Sequence, residues 1–306
     1  MNNLFAQSRS HWVRYDRYEI KTGKDGKRYI TPEKTAKPDI YNPLKESSEM
    51  VLEALNVGML MMNRRPEDVV EKAILAFVNH YGLLGLMTAL PTTPSFMDYE
   101  AVYLPKNHFI KEESMATEDY LALFYPFDKL DVVKKGVESS WNVSGDNMMI
   151  ALTMTFMDEP MAKNMSFQRE YAEPYDWVAQ QFKDWAFTLT TSVLYYNDYD
   201  SIDEDTRNLY RKAMAAFGGI APSYHIELLD KPTIYWDFHS LLLGIQMMFS
   251  FMLVDREKPL RLCKHCQKVF LSSRSNSAFC SARCKNQYNV YKSRGKNKGQ
   301  DGENDD

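Results

Sequence analysis

The chain has 306 residues, 44% apolar and 25% charged, with a net charge of −4. These are the figures of an ordinary soluble globular protein, long enough for one large domain or two smaller ones with a proper core. They argue against a membrane-spanning or disulfide-built chain. The N-terminus, Met1 to Ser10, is polar and lacks the apolar stretch of a secretory leader. The most apolar uncharged run, Phe238 to Val254, has 17 residues and contains His239, Ser240, Gln246 and Ser250. A membrane span needs about 20 predominantly apolar residues, so this run reads as a buried helix. The expected compartment is a reducing cytosol, where clustered cysteines bind metal more often than they pair.

The small net charge hides an asymmetry. Residues 255–300 hold 12 Lys and Arg against Asp255 and Glu257, whereas residues 1–254 carry a net −10 and residues 301–306 carry four acids. An acidic body joined to a basic end predicts an anionic partner for that end.

Residues 1–40 are polar and read as an N-terminal extension. Within it, Tyr15–Ile20 and Arg28–Thr31 flank Lys24-Asp25-Gly26-Lys27, and an Asp-Gly pair suits a β-hairpin turn because Gly tolerates positive φ. From 41 to 254 the pattern is mostly helical. Met50, Val51, Ala54, Leu55 and Met59 recur at helical spacing within Leu44–Asn63. Pro66, followed by Glu67 and Asp68, opens a second helix through Val69, Ala73, Phe77 and His80. Residues 88–110, with Pro91, Pro94 and Pro105, read as an irregular excursion holding a short strand. Thr117 is placed to cap Glu118–Phe124. Pro174 opens a long helix through Trp177, Phe182, Trp185 and Leu189 to Tyr196. Ser201 and Glu204 form a capping-box pattern for a helix ending at Gly218-Gly219. His225–Leu229 and Thr233–Trp236 read as short strands, and 238–254 as the last helix of the body. The predicted fold class is therefore mainly α with a few short strands: a helical body over 41–254, then a small four-cysteine finger over 255–294. The tail, 295–306, has nothing apolar to bury and is predicted disordered.

All four cysteines lie between positions 263 and 284. Two residues separate Cys263 from Cys266, and three separate Cys280 from Cys284. A Cys-x2-Cys turn can aim both sulfurs at one point, and an i, i+4 pair fits the first turn of a helix. Together they make the tetrahedral all-thiolate set of a structural Zn2+ site, with Zn–S bonds of about 2.3 Å. The alternatives are a redox dithiol, idle buried thiols or an iron–sulfur cluster. A redox pair normally follows a strand in an α/β unit and leaves the second pair unused. His265, between two ligands, could replace one of them. A segment of about 40 residues cannot build a sufficient core, so zinc is expected to supply most of its folding free energy. Four protein ligands leave no open position for catalysis.

Ser281 can cap a helix from Ala282 to about Arg294. On it Cys284, Tyr288 and Tyr291 share an inner face. Arg283, Gln287 and Arg294 make one outer stripe, and Lys285, Asn289 and Lys292 are read as a neighbouring one, with Asn286 beside them. Lys and Arg in such stripes bind phosphates, and Asn and Gln reach base edges. The plainer alternative is a solvated helix face.

The residues from Leu260-Arg261-Leu262-Cys263-Lys264-His265-Cys266 to Phe270, then Phe279-Cys280-Ser281-Ala282-Arg283-Cys284, then Tyr291-Lys292-Ser293-Arg294, resemble the CGNR-type zinc fingers of bacteria. In that family the finger follows a larger helical domain, often called ABATE, and members are regarded as candidate transcription regulators. The name motif stands here as Cys284-Lys285-Asn286-Gln287: Cys and Asn match, Gly and Arg do not, so no Arg-specific contact carries over to position 287. The resemblance is confined to the finger; Phe77-Val78-Asn79-His80-Tyr81-Gly82-Leu83 in the body is only loosely reminiscent of such proteins. It implies a bacterial, cytoplasmic regulator that binds DNA rather than RNA.

No phosphate-binding Gly loop, G-x-S-x-G or His-Glu-x-x-His occurs, so no enzyme is expected. His225-x-Glu227 on a strand puts both side chains on one face, which reads as a satisfied edge pair before a polar site. Asn79-His80 reads as a cap or core hydrogen bond, and the Tyr195–Asp200 cluster as a helix end and turn. The 18 Met residues suggest an adaptable core, or a pocket that senses a small molecule. Three functions follow. The first is a DNA-binding regulator whose body senses a ligand or forms a homodimer, with no membrane partner. The second is an interaction or structural module whose finger caps the body, and the third an enzyme with a structural zinc.

Overall fold

The computed structural model describes residues 12–85, 100–103, 114–124, 126–127, 169, 171–216, 222–238, 240–272 and 277–300. The chain divides into two compact units. The first takes Met1–Ser47, Glu71–Gln181 and Gly219–Gln246; the second takes Ser48–Val70, Phe182–Gly218 and Met247–Asp306. Helix predominates, as the sequence predicts, but strands are more numerous than expected: 11 short strands among the described residues, in five small sheets. None of the described helices is long and apolar enough to cross a membrane.

In the first unit, β1 (Trp12–Tyr15) pairs antiparallel with β4 (Pro38–Tyr41). The predicted hairpin is β2 (Tyr18–Thr22) and β3 (Arg28–Pro32), in register Tyr18 to Pro32. Its turn is closed by the Gly26 N–H to the Gly23 carbonyl at 3.1 Å, with Gly26 at φ 77°. Asp25 ties the turn further, accepting the Lys27 N–H at 3.0 Å and the Tyr29 hydroxyl at 2.8 Å. The hairpin belongs to the core: Tyr18, Tyr29 and Ile30 are buried, and β3 pairs on its other edge with β7 (Glu173–Pro174).

Helix α2 (Glu67–Tyr81) follows Pro66, whose carbonyl accepts the Val69 and Val70 N–H groups. Phe77, Val78 and Tyr81 are buried in its part of this unit, while the exposed Asn79 accepts the Tyr18 N–H at 2.8 Å, a hydrogen bond within the fold at the edge of the core. After the helix, the fully buried Glu173 accepts the Leu84 N–H at 2.9 Å, the Gly85 N–H and the Tyr171 hydroxyl at 2.8 Å. Gly85 has φ 73°, and a Cβ there would lie 2.5 Å from the Trp12 ring, so glycine is required twice over. Of the predicted excursion 88–110, the described part is β5 (Ala101–Tyr103), paired with β6 (Ser114–Ala116) before α3 (Thr117–Phe124). The rest of that excursion, Met1–Ser10, the Gly218-Gly219 stop and the acidic 301–306 lie outside the described residues.

The two later strands form a hairpin, β8 (Ser223–Leu228) with β9 (Pro232–Asp237). His225 and Glu227 share a face as predicted, 3.2 Å apart, and the imidazole stacks on Tyr235.

The second unit begins with α1 (Ser47–Met62), on which all five predicted apolar positions are buried. It meets α4 (Tyr175–Asn197), whose Phe182, Trp185 and Leu189 are buried in this unit. Helix α5 (Glu204–Ala216) follows a turn in which the structure corrects the predicted cap. The cap is Asp203, which accepts the Thr206 N–H at 2.8 Å. Ser201 instead bonds back to the Asp198 carbonyl, and Glu204 holds Arg207 and Arg211. The tyrosine cluster is a helix end, as expected: Tyr195 makes edge contacts with Tyr196, Tyr199 and Tyr210. The run 238–254 forms helix α6 (Leu241–Val254), with Met248, Phe249 and Met252 buried. With Met50 and Met59, these methionines serve the core.

Gly58 sets how closely α1 and α4 approach. A Cβ there would lie 2.0 Å from the Phe182 carbonyl oxygen and 2.6 Å from the Ala186 Cβ. Alanine favours a helix over glycine by about 1 kcal/mol, but overpacking against rigid backbone costs about 1–3 kcal/mol or more. Gly58→Ala is therefore expected to destabilise the protein by about 2 kcal/mol, read from urea unfolding; unchanged or raised stability would refute this crossing.

Candidate metal centre

The finger is assembled from two short pieces of backbone. The first is a hairpin the sequence reading did not anticipate, β10 (Leu260–Leu262) with β11 (Val269–Leu271), in register Leu260 to Leu271. Cys263 leaves the first strand and Cys266 sits in the turn. The Gln267 N–H reaches the Cys263 carbonyl at 2.9 Å, and the Cys263 N–H reaches the Lys268 carbonyl at 2.9 Å. Gln267 takes a left-handed φ of 58° to close that turn. The second piece is the start of α7 (Ala282–Gln300). Ser281 caps it as predicted: its hydroxyl accepts the Cys284 N–H at 3.2 Å and its carbonyl the Lys285 N–H at 3.1 Å. The Lys264 N–H, bonded to the Ala278 carbonyl at 3.0 Å, joins the two pieces. The helix runs to Gln300, past the boundary at 295 predicted for a disordered tail.

These elements bring together the four sulfurs. The Sγ atoms of Cys263, Cys266, Cys280 and Cys284 all lie within 4.8 Å of one another. Cys266 and Cys280 are 3.7 Å apart, and Cys280 and Cys284 are 3.5 Å apart. A tetrahedron of metal–sulfur bonds of about 2.3 Å places its sulfurs about 3.8 Å from each other. The four thiols thus fit a single tetrahedral ion, and all four are free of disulfides. Among the described residues this is the one group of Cys, His, Asp or Glu arranged to hold a metal. His265 is not in the set; its ring lies nearly parallel to that of Tyr291, with centroids 5.8 Å apart.

The thiols differ in how readily they ionise. Burial pushes Cys263 up, but the N–H groups of Cys266, Cys280 and His265 stabilise its thiolate and bring it down to about 6. Cys280 is pushed up to about 12, by burial and then by the neighbouring thiols of Cys284, Cys266 and Cys263. Cys266 is also raised, chiefly by burial. Sulfurs this close do not become thiolates together unless a cation sits among them.

The finger is also held from outside by a residue that sequence reasoning missed. Asn56 on α1 donates its amide to the Val269 carbonyl at 3.2 Å and accepts the Val269 N–H at 2.8 Å. It thereby stands in for a neighbouring strand beside β11. Val269 and Leu260 are buried, so the finger hairpin contributes to the core of the second unit. The one sequence signal was a lone polar residue in the apolar run Ala54-Leu55-Asn56-Val57.

Of the residues predicted to face a nucleic acid, Arg283, Lys285, Asn286, Asn289 and Lys292 are exposed and Gln287 is half-buried. Arg294 lies on the helix, with its side chain outside the described residues. The two stripes are not neighbours. At roughly 100° per residue, Lys285, Asn289 and Lys292 lie about half a turn of azimuth from Arg283 and Gln287. The stripes flank the metal-facing side of the helix, one on each edge. Tyr288 keeps its inner position, packing on Phe279 with centroids 5.2 Å apart, but Tyr291 is 62% exposed.

No protein-family model, no curated protein and no solved structure matches this chain.

Two outcomes follow from the geometry. Metal binding at pH 7 is expected to release at least two protons, because Cys266 and Cys280 are raised and so still protonated there. Calorimetry in buffers of different ionisation enthalpy measures this, and fewer than two protons would contradict the assignment. Asn56→Ala leaves the Val269 N–H and carbonyl unmatched and is expected to cost about 1–3 kcal/mol of stability. Equal unfolding midpoints for the variant and the parent would mean that the clamp contributes nothing.

Proposed function

We propose that the protein is a zinc-dependent nucleic-acid-binding protein, a transcription regulator of the cytosol whose finger contacts DNA. In this reading its helical part senses a small molecule or pairs with a second copy. Zinc is favoured among metals because four thiolates at tetrahedral spacing suit it. Sulfurs this close surround one ion and leave little room for the inorganic sulfide of an iron–sulfur cluster. Four ligands also fill a tetrahedral ion, so the zinc orders the finger and performs no catalysis.

The observation that carries the nucleic-acid reading is unneutralised charge. Lys264, Lys268, Arg283, Lys285 and Lys292 are all exposed, and none makes an ion pair among the described residues. Elsewhere in the chain several arginines are matched, Arg14 by Asp39, Arg28 by Glu71, and Arg207 and Arg211 by Glu204, although among the described residues exposed cations such as Lys34, Lys37 and Arg64 are not. The nearby Asp255 turns its carboxylate to the N–H groups of Glu257 and Lys258. A metal-ordered finger with unpaired lysines on one flank of its helix and Arg283 on the other is suited to phosphate backbones. The resemblance of residues 260–294 to CGNR-type fingers points the same way.

A second reading has its own support. The bidentate hold of Asn56 on Val269, with Leu260 and Val269 buried, suits a finger that caps the helical part or presents it to a protein partner.

Gel-shift titrations of the zinc-loaded chain at several salt concentrations separate the two. Binding is expected to weaken steeply with salt. Lys285→Ala and Lys292→Ala should each weaken binding across all sequences and flatten the salt slope by roughly one unit. Cys280→Ser should lose both zinc and binding. No binding to DNA or RNA at low salt would leave the cap reading in its place.

A further inference from the structure

The aromatic side chains of the finger fall into two groups. Phe279 and Tyr288 are half-buried and pack on each other, which accounts for them as the finger's small core. Tyr291 stands apart. It is 62% exposed, one turn further along α7 on the metal-facing side. Its described ring partner is His265, at 15° between planes and 5.8 Å between centroids. Burial does not explain an exposed, oriented ring at this position.

Its surroundings do suggest a use. The basic stripes of α7 run along either edge of the side on which Tyr291 stands. Gln287 precedes it by one helical turn and so is its neighbour on the helix surface. Lys264, exposed and free of ion pairs among the described residues, adjoins His265 in sequence. The arrangement is a flat aromatic face with an amide beside it and cations to both sides. A paired duplex has no base face to offer such a ring, because its bases are stacked on each other. An unpaired nucleotide offers a free π-face with phosphates on either side of it.

We propose that Tyr291, backed by His265, is a stacking platform for an unpaired base, so that the finger binds single-stranded nucleic acid in preference to duplex. This rests on the nucleic-acid reading above and specifies its substrate. Tyr291 supplies the π-face, Lys264, Lys285, Lys292 and Arg283 supply the charge, and Gln287 is placed to reach a base edge. Stacking of this kind tolerates any base, so the preference is for strandedness rather than sequence.

The test uses the zinc-loaded full chain and fluorescence anisotropy with three probes: a short oligo-deoxythymidine, an oligo-uridine of equal length and a duplex of equal length. Either single strand is expected to bind about 10-fold more tightly than the duplex. Tyr291→Leu keeps apolar bulk without a ring and is expected to lower single-strand affinity about 10-fold while changing duplex affinity less than about 2-fold. Tyr291→Phe should stay within about 2-fold of the parent on every probe. Zinc content and circular dichroism report whether each variant is folded, and the strand preference of the parent stands as a test whatever the variants do. Duplex binding as tight as single-strand binding, or a folded Tyr291→Leu that binds single strands like the parent, would overturn the platform and leave the nucleic-acid reading intact. Failure of the parent to bind any of the three probes would remove that reading, and the platform with it.

Discussion

Four sulfurs within 4.8 Å of one another are the constraint on which the finger depends. Apart from a cation they oppose each other's ionisation: burial first, and then the neighbouring thiols, push Cys280 up to about 12, while Cys263 alone is brought down to about 6 by backbone N–H groups. With a dication among them the same proximity becomes an attraction. The two strands, the turn with Gln267 in a left-handed conformation and the Ser281 cap all serve to deliver those sulfurs. Each element is too short to be stable alone, so a metal bound there is expected to fold the finger as it binds.

The finger is nevertheless more than a tethered bead. Metal coordination contributes on the order of 10 kcal/mol to a structural site of this kind, whereas the two hydrogen bonds of Asn56 contribute about 1–3 kcal/mol together. On these figures a bound metal would decide whether the finger folds, and Asn56 where its hairpin docks. The burial of Leu260 and Val269 adds an apolar contact to that docking. A device of this shape suits both proposed functions, since a finger held against a helix can transmit a contact as well as make one.

Electrostatics separates the finger from the remainder of the chain. The body carries a net −10, and several of its arginines are matched on the surface, such as Arg28 with Glu71 and Arg211 with Glu204. The finger's described lysines and Arg283 find no such matches among the described residues: Lys285 and Lys292 stand on one flank of its helix, Arg283 on the other, and Lys264 and Lys268 in the turn of its hairpin. Exposed charge left unpaired confers almost nothing on stability, which is consistent with its being kept for a partner.

The cysteine spacing alone determined the candidate ligand set, because a metal site is written in residue type and local separation. The same holds for the hairpin at Asp25-Gly26, the apolar faces of α1 and α4, and the Ser281 cap, all of which depend on contacts within a few residues. Sequence pattern misassigned the cap of α5, where Ser201 and Asp203 compete over two positions and the helix took the carboxylate. It also treated the stripes of α7 as adjacent, although the helical period puts them on opposite flanks. Only the tertiary structure could join Asn56 to Val269, set Glu173 against Leu84 and Gly85, or require Gly58 beneath Phe182. Those pairs lie far apart in the chain, and no local propensity encodes which distant backbone a buried amide or carboxylate will meet. Exposure was decided at the same level: Tyr288 and Tyr291 share a helix face, yet the finger's small core ends between them, and one ring is covered while the other is left open.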